Sequence, residues 1–213
     1  ARFFKELKER QKQSAEAQPI DITHIAKSGI LGAVIGDIVG STHEFLQSKE
    51  YNFELFTKRN DFSDDSVMTI AVADWLSQSD TLPTNSNDLP AIMRSWGKRH
   101  RWRGYGGMFR KWLLSDIEEY HHPYNSFGNG SGMRVSACGF AASSVEEAKR
   151  LSRCVTEVTH NHPEGIKGAE AIAVAVYLAN TGKNILDIQD YITKNYYDIT
   201  FKLDDIRADY SFD

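Results

Sequence analysis

The chain has 213 residues, of which 41% are hydrophobic and 11% aromatic, so it is long enough to bury one sizeable core, and we expect one main domain. Its formal net charge of −4 gives no overall electrostatic reason to expect a nucleic-acid or anionic-membrane partner. The two cysteines, Cys138 and Cys154, have no metal-binding or redox spacing, and no apolar run approaches the roughly 18 residues that span a membrane. We therefore expect a cytoplasmic protein without a disulfide scaffold.

The N-terminal segment, residues 1–28, is predicted to be an arm outside the main domain. Residues 1–18 have the pattern of a short amphipathic helix, with Phe3, Phe4 and Leu7 on one side, and they lack the apolar stretch of a secretory signal. The sequence that follows, "AQPIDITHIAKSG", is interpreted as a connector.

The main domain is predicted to begin at Gly29 with a glycine-rich helix. Gly32, Gly36 and Gly40 recur every fourth residue in "GILGAVIGDIVG" and form one face without side chains. We expect that another helix can approach this face closely, although each glycine costs about 1 kcal/mol of helix propensity relative to alanine.

The next helix is predicted to begin after Ser63 in "DFSDDSVMTIAVADWL" and to end near Ser77. If Ser63 is the N-cap, Asp64 and Asp65 occupy the first helical positions, where the helix dipole favours anions. This capping role explains the acidic pair without any ligand.

Further helices are predicted over "AIMRSWGKRH", over "SSVEEAKRLSRCVTEVTH" with a capping box from Ser144 to Glu147, from Pro163 to Gly182, and over "NILDIQDYITKNY". Between them, "HHPYNSFGNGSGMRVSACGF" has the glycine, asparagine and proline content of a loop that lies close to a ligand. Convincing period-2 alternation is missing, so the predicted fold class is all-α, a compact multi-helix domain.

A second interpretation of the acidic pair follows from Asp37 and Glu44. Asp37 lies in an otherwise apolar stretch, where a carboxylate is costly to bury without a partner, and Glu44 would share its helix face if the helix continued. Four converging carboxylates without a nearby excess of Lys or Arg repel one another unless a divalent cation joins them. Such hard oxygen ligands suit Mg²⁺, Ca²⁺ or Mn²⁺ rather than Zn²⁺.

Two other patterns favour ordinary structural roles. "KRHRWRG", residues 98–104, combines basic residues with Trp102, and we interpret it as a solvated helix end rather than a nucleic-acid site. His160 and His162 have the spacing of a metal pair, but Pro163 suits a helix boundary and no third His or Cys is near in sequence, so a zinc site is not expected.

Four motifs in order resemble the ADP-ribosylglycohydrolase family, which includes the dinitrogenase reductase-activating glycohydrolase. They are "GAVIGDIVGSTHE", "FSDDSVMT", "GNGSGMRV" and "THNHPEGIKGA", and the resemblance covers residues 29–213. It implies an all-α domain with a two-metal site, Mg²⁺ or Mn²⁺, that hydrolyses the bond between ADP-ribose and a protein side chain or a small group.

The resemblance also implies roles for individual residues. The metal ligands would be Ser63, which replaces the commoner Thr, together with Asp64 and Asp65, and Glu44 would be the catalytic residue. Asp37 would lie behind the ligands. The residues implied for substrate binding are Gly128, Asn129, Gly130, Ser131, Gly132, Met133 and His160.

The sequence departs from the family pattern at its end. Family members continue into a Gly-x-Asp-x-Asp-Thr motif that completes the ligand set of the second metal, and "LDDIRADYSFD" does not provide it. We therefore expect that the residues given supply only half of the two-metal site.

The mechanism implied by the resemblance is hydrolysis through an oxocarbenium-like state, with the cation orienting the ribose and polarising water and Glu44 moving the proton. The expected partner is ADP-ribosylated protein or ADP-ribose. An alternative is an immunity protein that blocks an ADP-ribosylating toxin with residues 1–28, and a third, weaker one is an unrelated all-α metal-dependent phosphohydrolase.

Overall fold

The computed structural model describes residues 22–44, 52–78, 81–207 and 209, with side chains described from residue 29 onward. Nine α-helices and two short 3₁₀ helices make up the regular structure of these residues, and no strand occurs among them, which confirms the all-α prediction. The α-helices are α1 Ile22–Gly40, α2 Asp64–Leu76, α3 Leu89–Arg99, α4 Gly107–Leu114, α5 Ser136–Ala141, α6 Val145–Glu157, α7 Pro163–Asn180, α8 Ile185–Asn195 and α9 Leu203–Arg207. The 3₁₀ helices are Glu118–Tyr120 and Gly132–Arg134.

Helix α2 lies at the centre of the core. Its side chains Met68, Ala71 and Val72 are fully buried, and α2 packs against α1, α3, α5 and the Gly132–Arg134 turn. The remaining core side chains come mainly from α3 to α7; those that are fully buried include Met93, Leu113, Ala137, Leu151, Val155 and Ala173. The burial of α2 explains its sequence, because a helix that is apolar almost all round must be covered on every side.

Helices α5 and α7 approach each other closely at a glycine. A Cβ on Gly139 would lie 2.4 Å from the backbone oxygen of Ala173, so no side chain fits between the two helices there. Helix α7 also packs along α6, where Ala148, Val174 and Leu178 form a second, smaller apolar cluster. This packing places the N-terminal end of α7 beside the glycine-rich loop.

The predicted helix ends agree with the structure for three helices. Ser63 caps α2 by accepting a hydrogen bond from the Asp65 N–H, and Ser144 caps α6 by accepting one from Glu147. Pro163 opens α7, and Gly182 follows its end with a φ of +86°. These caps depend on neighbours in sequence, which is why sequence patterns predict them well.

Helix α1 differs from its prediction in three respects. It begins at Ile22 rather than Gly29, so part of the expected connector is helical. It ends at Gly40 and residues 41–44 form a turn, so Asp37 and Glu44 do not share one continuous helix face. A Cβ on Gly32, Gly36 or Gly40 would meet nothing within 4 Å in the described part of the chain, so the expected close helix packing at this face is absent there.

The close contact of α1 lies instead at Gly29, where a Cβ would fall 2.0 Å from the Phe140 ring of α5. Glycine spacing identifies a smooth helix face, but it does not tell which face the rest of the domain covers.

The predicted amphipathic helix of residues 1–18 lies outside the described residues. The arm and the toxin-blocking role assigned to it therefore stay predictions. Among the helices that are described, none is both long and apolar enough to cross a bilayer.

Candidate active site

The carboxylate of Asp37 organises the N-terminus of α2. Its Oδ1 accepts a hydrogen bond from the Ser63 hydroxyl at 2.6 Å, and its Oδ2 accepts from the Ser63 N–H at 2.8 Å and the Ser66 N–H at 3.1 Å. The Ser66 hydroxyl also donates to Oδ2. Asp37 thus accepts hydrogen bonds from two of the backbone N–H groups at the start of α2, where the helix dipole favours its negative charge.

Ser63 is held so that one acceptor position stays open. Its hydroxyl donates its only proton to Asp37 and accepts a hydrogen bond from the Asp65 N–H at 3.2 Å. A hydroxyl oxygen has two lone pairs, so one remains for a further partner. This oxygen can therefore bind a cation and cap the helix at the same time.

Asp64 and Asp65, the first two residues of α2, lie in an environment that disfavours their charged forms. Burial raises the pKa of Asp64 to about 7, and the negative charges of Asp65, Glu44 and Asp37 add to the shift. Burial likewise raises the pKa of Asp65 to about 6, with contributions from Asp37 and Glu44. Among the described residues no cation opposes either shift, so no neighbouring positive charge offsets these carboxylates.

Glu44 lies at the exposed end of the turn that follows α1, with its N–H bonded to the Gly40 carbonyl at 3.1 Å. The negative charge of Glu44 raises the pKa of Asp64 and of Asp65, so Glu44 lies near both. Glu44 is therefore an exposed carboxylate close to the acidic pair.

The donor chemistry of this cluster fits a hard divalent cation, but the described residues give only part of a ligand set. Ser63, Asp64 and Asp65 offer oxygen atoms of the kind that Mg²⁺ and Mn²⁺ bind. Within residues 22–44, 52–78, 81–207 and 209, no three His, Cys, Asp or Glu side chains stand close enough together to hold an ion. A cation here would need further ligands.

Arg103 and Gly104 form a wall beside the acidic pair that the sequence did not reveal. The Asp64 N–H donates to the Arg103 carbonyl at 2.6 Å, and a Cβ on Gly104, whose φ is +90°, would lie 3.4 Å from Asp64 Oδ1. The Arg103 side chain pairs with Asp61 and stacks on Phe62 at 3.6 Å. This residue of the basic cluster therefore has intramolecular partners.

The other basic residues near the end of α3 include two more with partners. Lys98 pairs with Asp116 at 3.1 Å, and the Arg99 guanidinium lies 4.2 Å from the centroid of the Trp96 ring. Both residues are in the last turn of α3, where the helix dipole favours positive charge. These contacts agree with a solvated helix end.

The glycine-rich loop, residues 128–134, packs between α2 and α7. Thr69 of α2 donates its hydroxyl proton to the Met133 carbonyl at 3.0 Å, and Ser131 donates to the Gly165 carbonyl of α7 at 3.1 Å. A Cβ on Gly132 would lie 2.8 Å from Ile172 Cδ1. Helix α2 therefore carries the acidic pair at its start and supports the loop one turn later.

A cavity of about 410 Å³ opens between this loop and the N-terminal half of α7. Its wall includes Gly128, Asn129, Ser131 and Gly132 from the predicted set. It also includes residues that were not predicted, namely Phe127, Glu164, Gly165, Gly168, Ala169, Ala171, Ile172 and Tyr197. Asp64 and Asp65 are not part of this wall, so the acidic pair and the cavity are two separate features connected through α2.

His160 lies beneath the loop, and only 3% of its surface is exposed; its predicted role in substrate binding stays a prediction. A Cβ on Gly130 would lie 3.1 Å from His160 Cε1 and Nε2, so a side chain at residue 130 would press on the ring. Burial and the charge of Arg134 lower the pKa of His160 to about 3, so the ring is neutral at physiological pH.

The sequence matches the family model described as ADP-ribosylglycohydrolase over residues 19–209. The chain belongs to the ADP-ribosylglycohydrolase family. The curated relatives that it matches have the name ADP-ribosylhydrolase. The chain is 27% identical over 182 residues to ADP-ribosylhydrolase ARH3 of Bos taurus, and this match covers 73% of the chain and 49% of the relative.

The match to ADP-ribosylhydrolase ARH3 of Homo sapiens is also 27% over 182 residues, with 73% and 50% covered. A shorter match, to ADP-ribosylhydrolase ARH3 of Gallus gallus, is 34% identical over 92 residues and covers 38% of the chain and 25% of the relative. The chain thus spans about half the length of the first two ADP-ribosylhydrolase ARH3 relatives.

Proposed function

We propose that the chain hydrolyses the glycosidic bond that joins ADP-ribose to a protein side chain, using the acidic cluster and the glycine-rich loop as two parts of one site. The observation that carries this proposal is the pair Asp64 and Asp65, whose pKa values are raised to about 7 and 6 by burial and by neighbouring carboxylates. Carboxylates whose pKa values are strongly shifted by burial and by like charges cluster at functional sites. Family membership and the names of the relatives support the substrate class.

The cation we propose is Mg²⁺ or Mn²⁺, held by Ser63, Asp64 and Asp65. Such an ion supplies positive charge that stabilises the two carboxylates and polarises oxygen atoms of the substrate or of water. The open lone pair of Ser63 and the lack of a neighbouring cation support this assignment. Asp37 keeps the three residues in place through its hydrogen bonds to Ser63 and Ser66.

Glu44 is the residue we propose for proton transfer. Cleavage at the anomeric carbon of ribose needs a water activated on one side of the sugar, and a carboxylate is the usual base. Glu44 is exposed at the solvent edge of the acidic pair, which suits this task.

The ADP part of the substrate is proposed to bind along the glycine-rich loop. Backbone N–H groups of Gly130 and Ser131 can come close to phosphate oxygens because little side-chain bulk intervenes, whereas the Gly128 N–H donates to the Ser126 hydroxyl oxygen. The exposed ring of Phe127, at the wall of the 410 Å³ cavity, offers a flat apolar surface for a base. Small-molecule sites have volumes of about 300–1,000 Å³, so the cavity is large enough for part of such a ligand.

The location we propose is the cytoplasm. Cys138 and Cys154 are both free, and Cys138 is buried in the core. Free thiols of this kind suit a reducing compartment.

The test of this function is release of ADP-ribose from ADP-ribosylated protein, with arginine-linked and serine-linked substrates compared, in Mg²⁺ and in EDTA. We expect release by the parent chain in Mg²⁺ and its loss in EDTA.

Glu44→Gln should lower turnover about 100-fold or more while the Kd for free ADP-ribose stays unchanged, because only proton transfer is removed. Glu54→Gln, at an exposed residue, is the matched control. Equal turnover of Glu44→Gln and the parent would reject the role of Glu44.

A further inference from the structure

A positively charged surface lies on the connection between α3 and α4. Three basic residues of this region have intramolecular partners, namely Lys98, Arg99 and Arg103. Arg101 differs from them, because it is exposed and its side chain has no ion pair or hydrogen bond within the described part of the chain. The contacts that explain the rest of the basic cluster therefore leave the charge of Arg101 without a partner among these residues.

Trp102 and Arg110 extend this surface. The Trp102 side chain is 74% exposed, and the guanidinium of Arg110, which comes from α4, lies 4.6 Å from the centroid of the indole ring. Arg110 is itself exposed and pairs with no acidic side chain among the described residues. Tryptophan and arginine are the residue types most enriched where proteins bind other proteins. We call Arg101, Trp102 and Arg110 the Arg–Trp surface.

The Arg–Trp surface adjoins the acidic pair. Trp102 directly precedes Arg103, whose carbonyl accepts a hydrogen bond from the Asp64 N–H at 2.6 Å. Neither Arg101 nor Arg110 is among the charges that act on the pKa of Asp64. The two guanidinium groups therefore lie next to the candidate active site without neutralising its carboxylates, and their charge stays available to a partner.

The chemistry of this surface favours an acidic peptide segment. A guanidinium can form two parallel hydrogen bonds with one carboxylate, and an exposed indole offers apolar contact area beside it. The formal net charge of the chain is −4, so attraction for an acidic partner must come from a local surface of this kind. A protein that places its ADP-ribose at the acidic pair has peptide chain on both sides of the modified residue, and this chain must cross the rim of the site.

We propose that Arg101, Trp102 and Arg110 bind an acidic segment of the ADP-ribosylated protein close in sequence to the modified residue. The identity of that protein as a substrate rests on the proposed function, whereas the affinity of the surface for an acidic peptide does not. The three residues position the substrate and take no part in bond cleavage, so they act on KM rather than on kcat.

The kinetic test compares two ADP-ribosylated peptides of equal length, with either glutamate or glutamine around the modified residue. We expect the full chain in Mg²⁺ to cleave the glutamate peptide with a kcat/KM about tenfold higher, through KM. Arg101→Gln/Arg110→Gln should reduce this difference to about twofold and leave the cleavage of an ADP-ribosylated free amino acid unchanged. Equal kcat/KM values of the parent for the two peptides, or a full preference in the double variant, would overturn the proposal.

The matched control is Lys183→Gln/Lys194→Gln, which also removes two exposed positive charges. Lys183 follows the C-terminal end of α7 and Lys194 lies in the last turn of α8, away from the connection between α3 and α4. We expect this variant to keep the tenfold preference. Loss of the preference in the control as well would show that net charge, and not the Arg–Trp surface, selects the acidic peptide.

A binding test needs no turnover and uses the unmodified glutamate peptide with a fluorescent label. Fluorescence anisotropy should show binding to the parent chain that weakens with added salt and weakens about tenfold in Trp102→Ala, whose exposed site leaves the fold intact. Absence of binding to the parent chain, or tighter binding of a single-stranded oligonucleotide of equal charge, would contradict an acidic protein segment as the partner. Binding of the glutamate peptide without cleavage of either ADP-ribosylated peptide would instead count against the proposed function.

Discussion

At the scale of single residues, the start of α2 combines capping with site building. Asp37 accepts four hydrogen bonds from Ser63 and Ser66, and Ser63 in turn caps the helix at Asp65. The acidic pair is therefore presented from a helix end that another carboxylate fixes. The two interpretations of "SDD" in the sequence, a helix cap and a ligand pair, are compatible with the same geometry.

The first prediction concerns Asp37. Asp37→Asn should destabilise the protein by about 1–3 kcal/mol, because an amide NH₂ cannot accept from the groups that Oδ1 or Oδ2 serves. For a chain of this size, each kcal/mol corresponds to about 2–4 °C in Tm. Thermal unfolding monitored by circular dichroism measures the change, with Glu54→Gln as the control. A Tm equal to that of the parent would show that the hydrogen bonds of Asp37 do not stabilise α2.

The second prediction concerns pH. The folded-state pKa values of Asp64 and Asp65, about 7 and 6, exceed the unfolded value of 3.8, so the folded state binds more protons between pH 4 and 7. Stability without divalent cations should therefore fall as pH rises through this range. Asp64→Asn should make the fall shallower and raise the Tm at pH 8.

The same measurement at pH 8 and pH 5 tests the cation. Mg²⁺ should raise the Tm more at pH 8, where both carboxylates are charged, than at pH 5, where protons compete with the ion. A Tm that rises with pH in EDTA, or a Mg²⁺ effect that is equal at both pH values, would contradict the assigned electrostatics.

At the scale of helices, α2 joins the acidic pair to the glycine-rich loop, and glycines set how closely neighbouring helices pack. Thr69 of α2 binds the loop at Met133, and α5 meets α7 at Gly139. Gly32, Gly36 and Gly40 on α1, by contrast, face open space in the described part of the chain. The same residue type thus has opposite energetic roles in two helices.

The third prediction uses this difference. Gly139→Ala should destabilise the protein by several kcal/mol, because its Cβ would lie 2.4 Å from the backbone oxygen of Ala173, which cannot move alone. Gly36→Ala, in open space within α1, should stabilise it by up to about 1 kcal/mol through helix propensity. Urea unfolding of both variants measures the free energies. A destabilised Gly36→Ala variant would mean that another surface covers this face of α1.

The sequence predicts those features that depend on local patterns. The ends of α2, α6 and α7 follow from Ser63, Ser144 and Pro163, since a cap involves residues within one helical turn. The hydrogen bonds of Asp37 to a helix 26 residues later in the chain do not follow from such patterns. Neither does the path from Arg134 through Thr159 to His160, which needs two segments 25 residues apart in the chain to meet in space.

At the scale of the whole molecule, the described residues form a helical domain whose acidic cluster has no neighbouring cation to offset its charge. The two carboxylates at the start of α2 repel each other and Glu44, and no cation among the described residues lowers their pKa values. The protein as a whole has a net charge of −4, so no general positive field offsets this repulsion. We propose that a divalent ion compensates this charge.

The most direct test of this account is the rate of ADP-ribose release from ADP-ribosylated protein by Asp64→Asn/Asp65→Asn in Mg²⁺. The matched control is Asp88→Asn, since Asp88 also heads a helix but makes no side-chain cap hydrogen bond. We predict a loss of at least about 100-fold for the double variant, because several kcal/mol of transition-state stabilisation disappear, and an unchanged rate for the control. Release by the double variant at the rate of the parent would contradict the claim that this acidic pair is the catalytic centre.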